Sequence, residues 1–374
     1  MNSLTFFDLI LFLGVSQGIF LAVTILIIQN NNKSANKLLA ILLLIAALML
    51  TGRVCVFRYR NPTLLRFAEF ADVCIFIFGP VLYAYIKRLT FSYDKIFRLS
   101  VYHFIPALLH LCYFTWTLFF TFEELIQMYK DGIFKPIYML TGGLGVLLNI
   151  IYLLASYLVV KRFKKEEHNN LSYNQNIHIY LNTLILGISI FLFFWLTSYI
   201  NVFLGFNYYL PFNYALVWVT IPVFIYIIGF FSLKQPEIFR MPVFKKQTLK
   251  KERLDGDKLT NIKKKLEHLM VTEKIYLDNK LTLQKLAEKL TTSPNNISWL
   301  LNNIHNCNFY DYVNKYRVDT FIEKVQNGEH EYHTILALSL DSGFNSKSTF
   351  NKVFKSIMNQ TPSNYIKNLY PLNN

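Results

Sequence analysis

Along the first two thirds of the chain, apolar residues fall into long runs rather than stripes. The runs are Phe6–Ile28, Lys37–Val56, Asp72–Lys87, Val101–Phe122, Ile137–Val160, Ile179–Phe203 and Phe212–Phe231. Each holds roughly 16–25 residues, the number a bilayer core requires of a helix rising about 1.5 Å per residue. Asp72–Lys87 is the least regular, because Asp72 and Pro80 interrupt it. A water-soluble bundle needs a polar face on its outer helices, and these runs leave hardly any. The expectation is a bundle of seven transmembrane helices. Phe6–Ile28 has no basic lead-in and no small-residue cleavage site, so it reads as the first span and not as a secretion signal.

Beyond Ser232 the pattern changes. Up to Met270 the chain is lysine-rich, holds Pro236 and Pro242, and reads as a juxtamembrane linker. Its clusters Lys245–Lys246 and Lys250–Lys251 suit anionic lipid, DNA phosphate or plain solvent alike. Leu259, Ile262, Leu266 and Leu269 then recur at helical spacing. That stripe fits either a short homodimer seam or a helix packed on its own domain.

Short amphipathic pairs follow. In LTLQKLAEKLTTSPNNISWLLNN, from Leu281, Thr282 caps a helix whose stripe is Leu283, Leu286, Ala287 and Leu290. Thr291–Thr292 turns the chain, Ser293 caps, and Pro294 opens a second helix with Ile297, Leu300 and Leu301 inward. Asn295, Asn296, Ser298, Trp299 and Asn302 face outward. The design recurs in HTILALSLDSGFNSKSTFNKVFK, from His333. Ile335, Leu336, Leu338 and Leu340 line one helix, Gly343 breaks it, and Phe344 plugs the turn. Ser346 caps a second helix with Phe350, Val353 and Phe354 inward and Lys347, Ser348, Asn351, Lys352 and Lys355 outward. Phe309–Val325 reads as one connecting helix. Such pairs are either plain helical hairpins or helix-turn-helix units, and the repetition favours the latter.

The segments LTLQKLAEKL, SPNNIS, FYDYVNKYRV with Arg317, LDSGFNSKSTFNKVFK and TPSNYIK resemble the DNA-binding domain of the AraC transcriptional regulators. The resemblance runs from about Tyr276 to Leu369, roughly a quarter of the chain. It implies two helix-turn-helix units joined by a rigid helix and set into successive major grooves on one face of DNA. The recognition helices would be Pro294–Asn303 and Ser346–Ser356. Their DNA-binding candidates are Asn295, Ser298, Trp299 and Asn302, then Lys347, Ser348, Asn351 and Lys352. The implied partners are double-stranded promoter DNA and RNA polymerase. Asn306 stands where the family often has glycine, and Phe321 where it often has alanine.

Composition agrees with a two-part chain. Hydrophobic residues make up 53% and charged residues only 16%, yet the net charge is +15. Cys55, Cys74, Cys112 and Cys307 fit neither zinc-site nor disulfide spacing, which leaves them as small buried hydrophobes. If the N-terminus is outside, the inner loops carry Lys33 and Lys37, then Lys87, Arg88, Lys95 and Arg98, then Lys161, Arg162, Lys164 and Lys165. The outer loops carry half as many: Arg58, Arg60, Arg66, Lys130 and Lys135, with none in Leu204–Pro211. The bias puts the C-terminus in the cytoplasm, where DNA is.

Polar residues within spans are costly, so they are candidates for sensing an unknown small ligand or membrane signal. They are Asp72, Glu69, His103, His110 and Asn149, with Asn182 inside a span and Arg53 and His178 near span ends, where side chains also snorkel. Gly142, Gly143 and Gly145 suit close helix approach or local bending. There is no phosphate-binding glycine loop, nucleophile elbow or His-Glu-x-x-His motif, so neither catalysis, metal nor cofactor is expected.

The whole therefore reads as all-α: a seven-span domain at 1–231, a basic linker and helix at 232–270, and a cytoplasmic double helix-turn-helix domain at 271–370. It would be a multi-pass protein of the cytoplasmic membrane that couples a membrane-sensed signal to promoter binding. The alternative is a receptor or transporter whose helical tail is a protein-interaction module.

Overall fold

The computed structural model describes residues 5–27, 32–58, 62–91, 97–173, 177–203, 214–234 and 256–370. Among them are sixteen α-helices and no strand beyond one isolated bridge between Leu171 and Thr282. The chain divides into two compact units. The first is Met1–Lys161 with Asn176–Lys246, and the second is Arg162–Gln175 with Gln247–Asn374.

The first unit contains α1 (Phe6–Ile27), α2 (Lys33–Arg58), α3 (Pro62–Ala71), α4 (Cys74–Thr90), α5 (Ile105–Thr117), α6 (Phe122–Lys130), most of α7 (Lys135–Asn170), α8 (Ile177–Phe203) and α9 (Tyr214–Lys234). Contacts give their directions. A Cβ on Gly14 would meet Leu50 and Pro222, and one on Gly18 would meet Leu43 and Ile225, so α2 runs against α1 and α9 runs with it. Arg88 near the end of α4 donates to Ser34 at the start of α2 (3.0 Å), so α4 opposes α2. It also donates to the Phe97 carbonyl (2.8 Å), while Arg66 on α3 donates to the Phe120 carbonyl (2.6 Å). The stretch containing α5 therefore travels the length of the α3–α4 pair in reverse. Helix α7 returns, meeting Glu69 through Tyr138 (3.3 Å) and the Ile75 carbonyl through Asn149 (2.9 Å). Helix α8 opposes it, because Tyr199 reaches the Met139 carbonyl and Tyr180 reaches Tyr85.

Those directions alternate along the described residues, giving six candidate passes, or seven if the bent pair α5–α6 counts as one. Six are made by helices long and apolar enough to cross a membrane, α3 and α4 counting as one run. The fourth differs from the single straight span expected at Val101–Phe122. Here a 3-10 turn leads into the short α5, and a 112° bend then leads into α6. The bend has a local cause: Thr121 and Glu124 form a reciprocal capping box that starts a new helix. Asp72 does not open the third span; it lies at the break between α3 and α4, and α4 continues through Pro80. On α7, Leu140, Leu144, Leu147, Ile151, Leu154 and Leu158 form a continuous exposed apolar stripe. An apolar surface of that kind is rare on a soluble protein and ordinary against lipid. Gly142 and Gly143 pack against the Tyr199 ring and Gly145 against Ile75 and Trp195, so these glycines admit close neighbours.

The second unit contains α10 (Gly256–Val271), α11 (Leu283–Lys289), α12 (Pro294–Asn303), α13 (Phe309–Gln326), α14 (Ile335–Asp341), α15 (Lys347–Met358) and α16 (Pro362–Leu369). Two apolar cores share α13. Phe309, Tyr312 and Val313 enter the first, with Leu286, Ile297 and Leu300; Val318, Phe321 and Val325 enter the second, with Phe344, Phe350 and Phe354. The stripe on α10 is used here as well: Ile262, Leu266 and Leu269 are buried in the first core, with Leu259 packed against it. It leaves no free seam for a partner copy. The clusters at Lys245–Lys246 and Lys250–Lys251, and the loop Leu204–Pro211, lie outside the described residues.

Candidate nucleic-acid interface

Each helix of the two hairpins is started by its own cap. Thr282, Ser293, Thr334 and Ser346 accept from the backbone N–H of Lys285, Asn296, Ala337 and Thr349 respectively. The turns need left-handed backbone, supplied by Thr291 (φ 51°) in the first and Gly343 (φ 94°) in the second. Gly343 is also a close approach. A Cβ there would stand 2.6 Å from the Tyr276 carbonyl and 2.9 Å from the Leu277 Cα, so glycine lets the second turn touch the segment that precedes the first hairpin. Asn306 takes a left-handed φ of 50°, so asparagine serves where the family often has glycine.

Helix α12 exposes Asn295, Trp299 and Asn302, with Ser298 half-buried. Asn302 donates along the helix to the Ser298 carbonyl (2.8 Å) and hydroxyl (3.3 Å), so these two side chains act as a pair. Asn296 departs from the expected outward set. It is buried and donates back to Thr292 (3.0 Å), bracing the turn. Helix α15 exposes Lys347, Ser348, Asn351, Lys352 and Lys355 while burying Thr349, Phe350, Val353 and Phe354. It runs two residues past the expected end at Ser356. On α14, Leu338 is buried but Leu336 and Leu340 are exposed, so that helix braces α15 along a narrower stripe than expected. Phe321 occupies the centre of the second core, 4.6 Å from the Phe350 ring. A larger side chain than the family's usual alanine thus becomes part of the packing.

The electrostatics of the two faces differ. From Leu290 to Tyr310 there is no charged residue, so α12 offers amides, a hydroxyl and one indole. From Ser342 to the C-terminus there are four lysines and no carboxylate, so α15 and α16 carry the cationic surface. A lysine and amide face of this kind can hold phosphates and reach base edges in a major groove.

Arg317 organises the space between the two cores. It is fully buried, and burial pushes its guanidinium down to about 10, which leaves it cationic at neutral pH. Its Nε donates to the Tyr276 carbonyl (2.8 Å) and Nη2 to the Asp278 carbonyl (2.8 Å). Its Nη1 donates to Asn314 Oδ1 (3.2 Å) and to the Ser172 carbonyl (2.8 Å), and Nη2 to Ser172 Oγ (3.0 Å). Ser172 comes from the segment after α7, and the sequence carries no local signal for that meeting.

Of the sensing candidates in the first unit, the structure brings Glu69, Asp72 and His110 together. Asp72 forms an ion pair with Arg53, whose guanidinium lies over the Trp218 ring. Glu69 accepts from Tyr138, and the buried His110 has Nε2 3.5 Å from the Glu69 carbonyl. His103 is elsewhere, with Nδ1 2.7 Å from the Tyr152 hydroxyl. Asn149 donates to the Ile75 and Gly145 carbonyls and lines an apolar cavity of about 60 Å³ with Leu43, Phe78 and Phe224. Among the described residues no cluster of histidine, cysteine or carboxylate side chains could hold a metal ion.

Compared with known families, residues 286–368 match the model of a helix-turn-helix domain of AraC type. These residues run from within α11 to the last turn of α16, and are a DNA-binding module of transcription regulators. Neither a curated protein nor a solved structure matches the chain.

Proposed function

We propose that the chain is a membrane-embedded, sequence-specific DNA-binding transcription regulator, in which the bundle senses a signal and the double helix-turn-helix unit binds a promoter. One observation carries this: a single chain joins six membrane-length apolar helices to two capped recognition helices, one with an exposed lysine and amide face. The sequence-specific contacts fall to Asn295, Ser298, Trp299, Asn302, Lys347, Ser348, Asn351 and Lys352. The signal acts on the bundle, with Asp72, Glu69, His103, His110 and Asn149 as its candidate receivers. A ligand shifts the bundle between two packings only through different affinity for them. The working domain limits are 1–231, 232–270 and 271–370.

The test uses the full chain in bilayer nanodiscs and a pool of random-sequence duplexes. The chain should select one sequence and protect two major-groove patches about 34 Å apart on one face. Affinity should fall steeply between low and moderate salt, since each lysine–phosphate contact releases counterions. A protein that enriches no sequence from the pool is not a regulator of this kind, and its tail is then an interaction module.

Orientation is a second expectation. With seven passes the chain's two ends fall on opposite sides, and Lys33, Lys87 and Arg88 gather at the end where α4 finishes. Both features support an outer N-terminus and an inner C-terminus. A reporter active only outside the cytoplasm should be silent when fused after Asn374 and active when fused ahead of Asn2. The reverse pattern would sink the orientation.

A further inference from the structure

The DNA-binding unit includes a segment that arrives from far upstream. Residues Arg162–Gln175 belong to the second unit although the chain places them between two apolar helices. After α7 ends at Asn170, Leu171 forms an antiparallel bridge with Thr282, and Ser172 N–H donates to the Leu281 carbonyl (3.3 Å). Ser172 is fully buried. Its carbonyl accepts from Asn314 Nδ2 (3.1 Å) and Arg317 Nη1 (2.8 Å), and its hydroxyl accepts from Arg317 Nη2 while donating to the Leu281 carbonyl (2.7 Å). One turn earlier, the His168 ring lies 4.6 Å from the Tyr310 ring. His168 also borders a groove of about 730 Å³ lined mainly by α13, with Tyr310, Asp311, Lys315 and Asp319, and by Lys352 and Ser356 of the second recognition helix, with His305 and Cys307 from the turn after the first.

We infer that residues 162–173 are an intrachain docking element that competes with DNA at the groove lined by the connecting helix α13 and the second recognition helix α15. This rests on the regulator reading and adds its control. A duplex that engages α12 and α15 together must pass α13, which joins them, and His168 at the docked end of α7 lines the groove of α13 and α15 together with Lys352. The contact is built to be reversible. When the segment leaves, Arg317 keeps the Tyr276 and Asp278 carbonyls and Asn314 Oδ1, so the junction between the two cores holds while the released donors take water. Residues 162–170 are the end of α7, so the docking element is continuous in sequence with an apolar helix.

A reversible lock tests this in the full chain. Antiparallel bridge partners lie about 4.5–5.5 Å apart at Cα, within disulfide range. Leu171→Cys with Thr282→Cys is therefore introduced together with Cys112→Ser and Cys307→Ser, and the protein is reconstituted in nanodiscs. The probe is the duplex that the reduced protein itself selects from a random pool. Oxidation should close the disulfide and weaken binding at least tenfold, and dithiothreitol should restore it. Each single-cysteine variant should be indifferent to oxidation. Ser172→Pro, which removes the N–H and hydroxyl bonds without touching the helix-turn-helix units, should tighten binding at least threefold. A disulfide that does not form, or a locked protein that binds as well as the reduced one or better, overturns the inference and leaves the regulator reading standing. A reduced protein that selects no duplex overturns both.

Discussion

Phe350→Ala should destabilise the DNA-binding unit by about 3–5 kcal/mol and abolish binding to every duplex, while its neighbour Asn351→Ala should leave the fold intact and lose only sequence preference. Phe350 is fully buried, with Phe321, Phe344 and Phe354 rings at 4.6, 5.1 and 5.6 Å. Truncation opens a cavity at the meeting point of α13, the second turn and α15, and none of these can close it without shifting the others. Asn351 lies on the exposed face, where an amide can pair with both adenine acceptor and donor. Its removal should cost on the order of 1–3 kcal/mol on the selected duplex and almost nothing on a scrambled one. The measurement pairs hydrogen exchange across α13–α15 in the full chain with titrations on both duplexes. Equal losses on the two duplexes with unchanged exchange would make Asn351 a backbone contact, and the base-reading assignment would fall.

Arg317→Leu is the second large effect expected, a loss of about 3–5 kcal/mol from the same unit. Leucine removes the cost of burying a cation, but it takes the guanidinium donors from the Tyr276 carbonyl, Asn314 Oδ1 and Ser172 Oγ, and one of two donors from the carbonyls of Asp278 and Ser172, which keep the Leu281 N–H and Asn314 Nδ2. Unpaired buried acceptors cost about 1–3 kcal/mol each, so the loss exceeds the relief. Arg317→Lys should recover only part of it, because an ammonium is one point charge where the planar fork serves several acceptors at fixed angles. Hydrogen exchange should rise around 275–282 and at the Gly343 turn together, since Arg317 and that turn meet at the same carbonyl. Faster exchange confined to α13 would show that the guanidinium does not join the two units. Arg317→Lys matching the native chain would show that the fork geometry is dispensable.

The site and the fold were legible to different depths. Helix caps at Thr282, Ser293 and Ser346 and the buried stripe of Phe350, Val353 and Phe354 could be read in advance, because each is settled by residues within one or two turns. The same holds for the apolar runs, whose length and uniformity predict helices long enough to cross a membrane, as six of the described helices are. Asn296 faces inward and not outward because its amide donates to Thr292 one turn earlier and it stands one turn before the buried Leu300, a place in the stripe that its polar side chain conceals. Burial of the α10 stripe was one of two open readings, and the first core closed the choice by leaving a groove that Ile262, Leu266 and Leu269 fill.

What the sequence determined by itself about this protein is thus what short-range patterning carries: most helix positions, the caps and turn residues, the exposed face of α15 and most of that of α12, and the contrast between apolar runs and a basic tail. Tertiary structure alone decided the pairings between distant residues. Arg53 meets Asp72 at a helix break, Tyr85 meets Tyr180 across two helices, and Arg317 closes on Ser172 from 145 positions away. The physical reason is that a cap or a stripe is stabilised within its own helix. A buried guanidinium instead takes whichever carbonyls the packing of separate helices brings within 3 Å of its nitrogens, and that packing is a property of the folded chain as a whole.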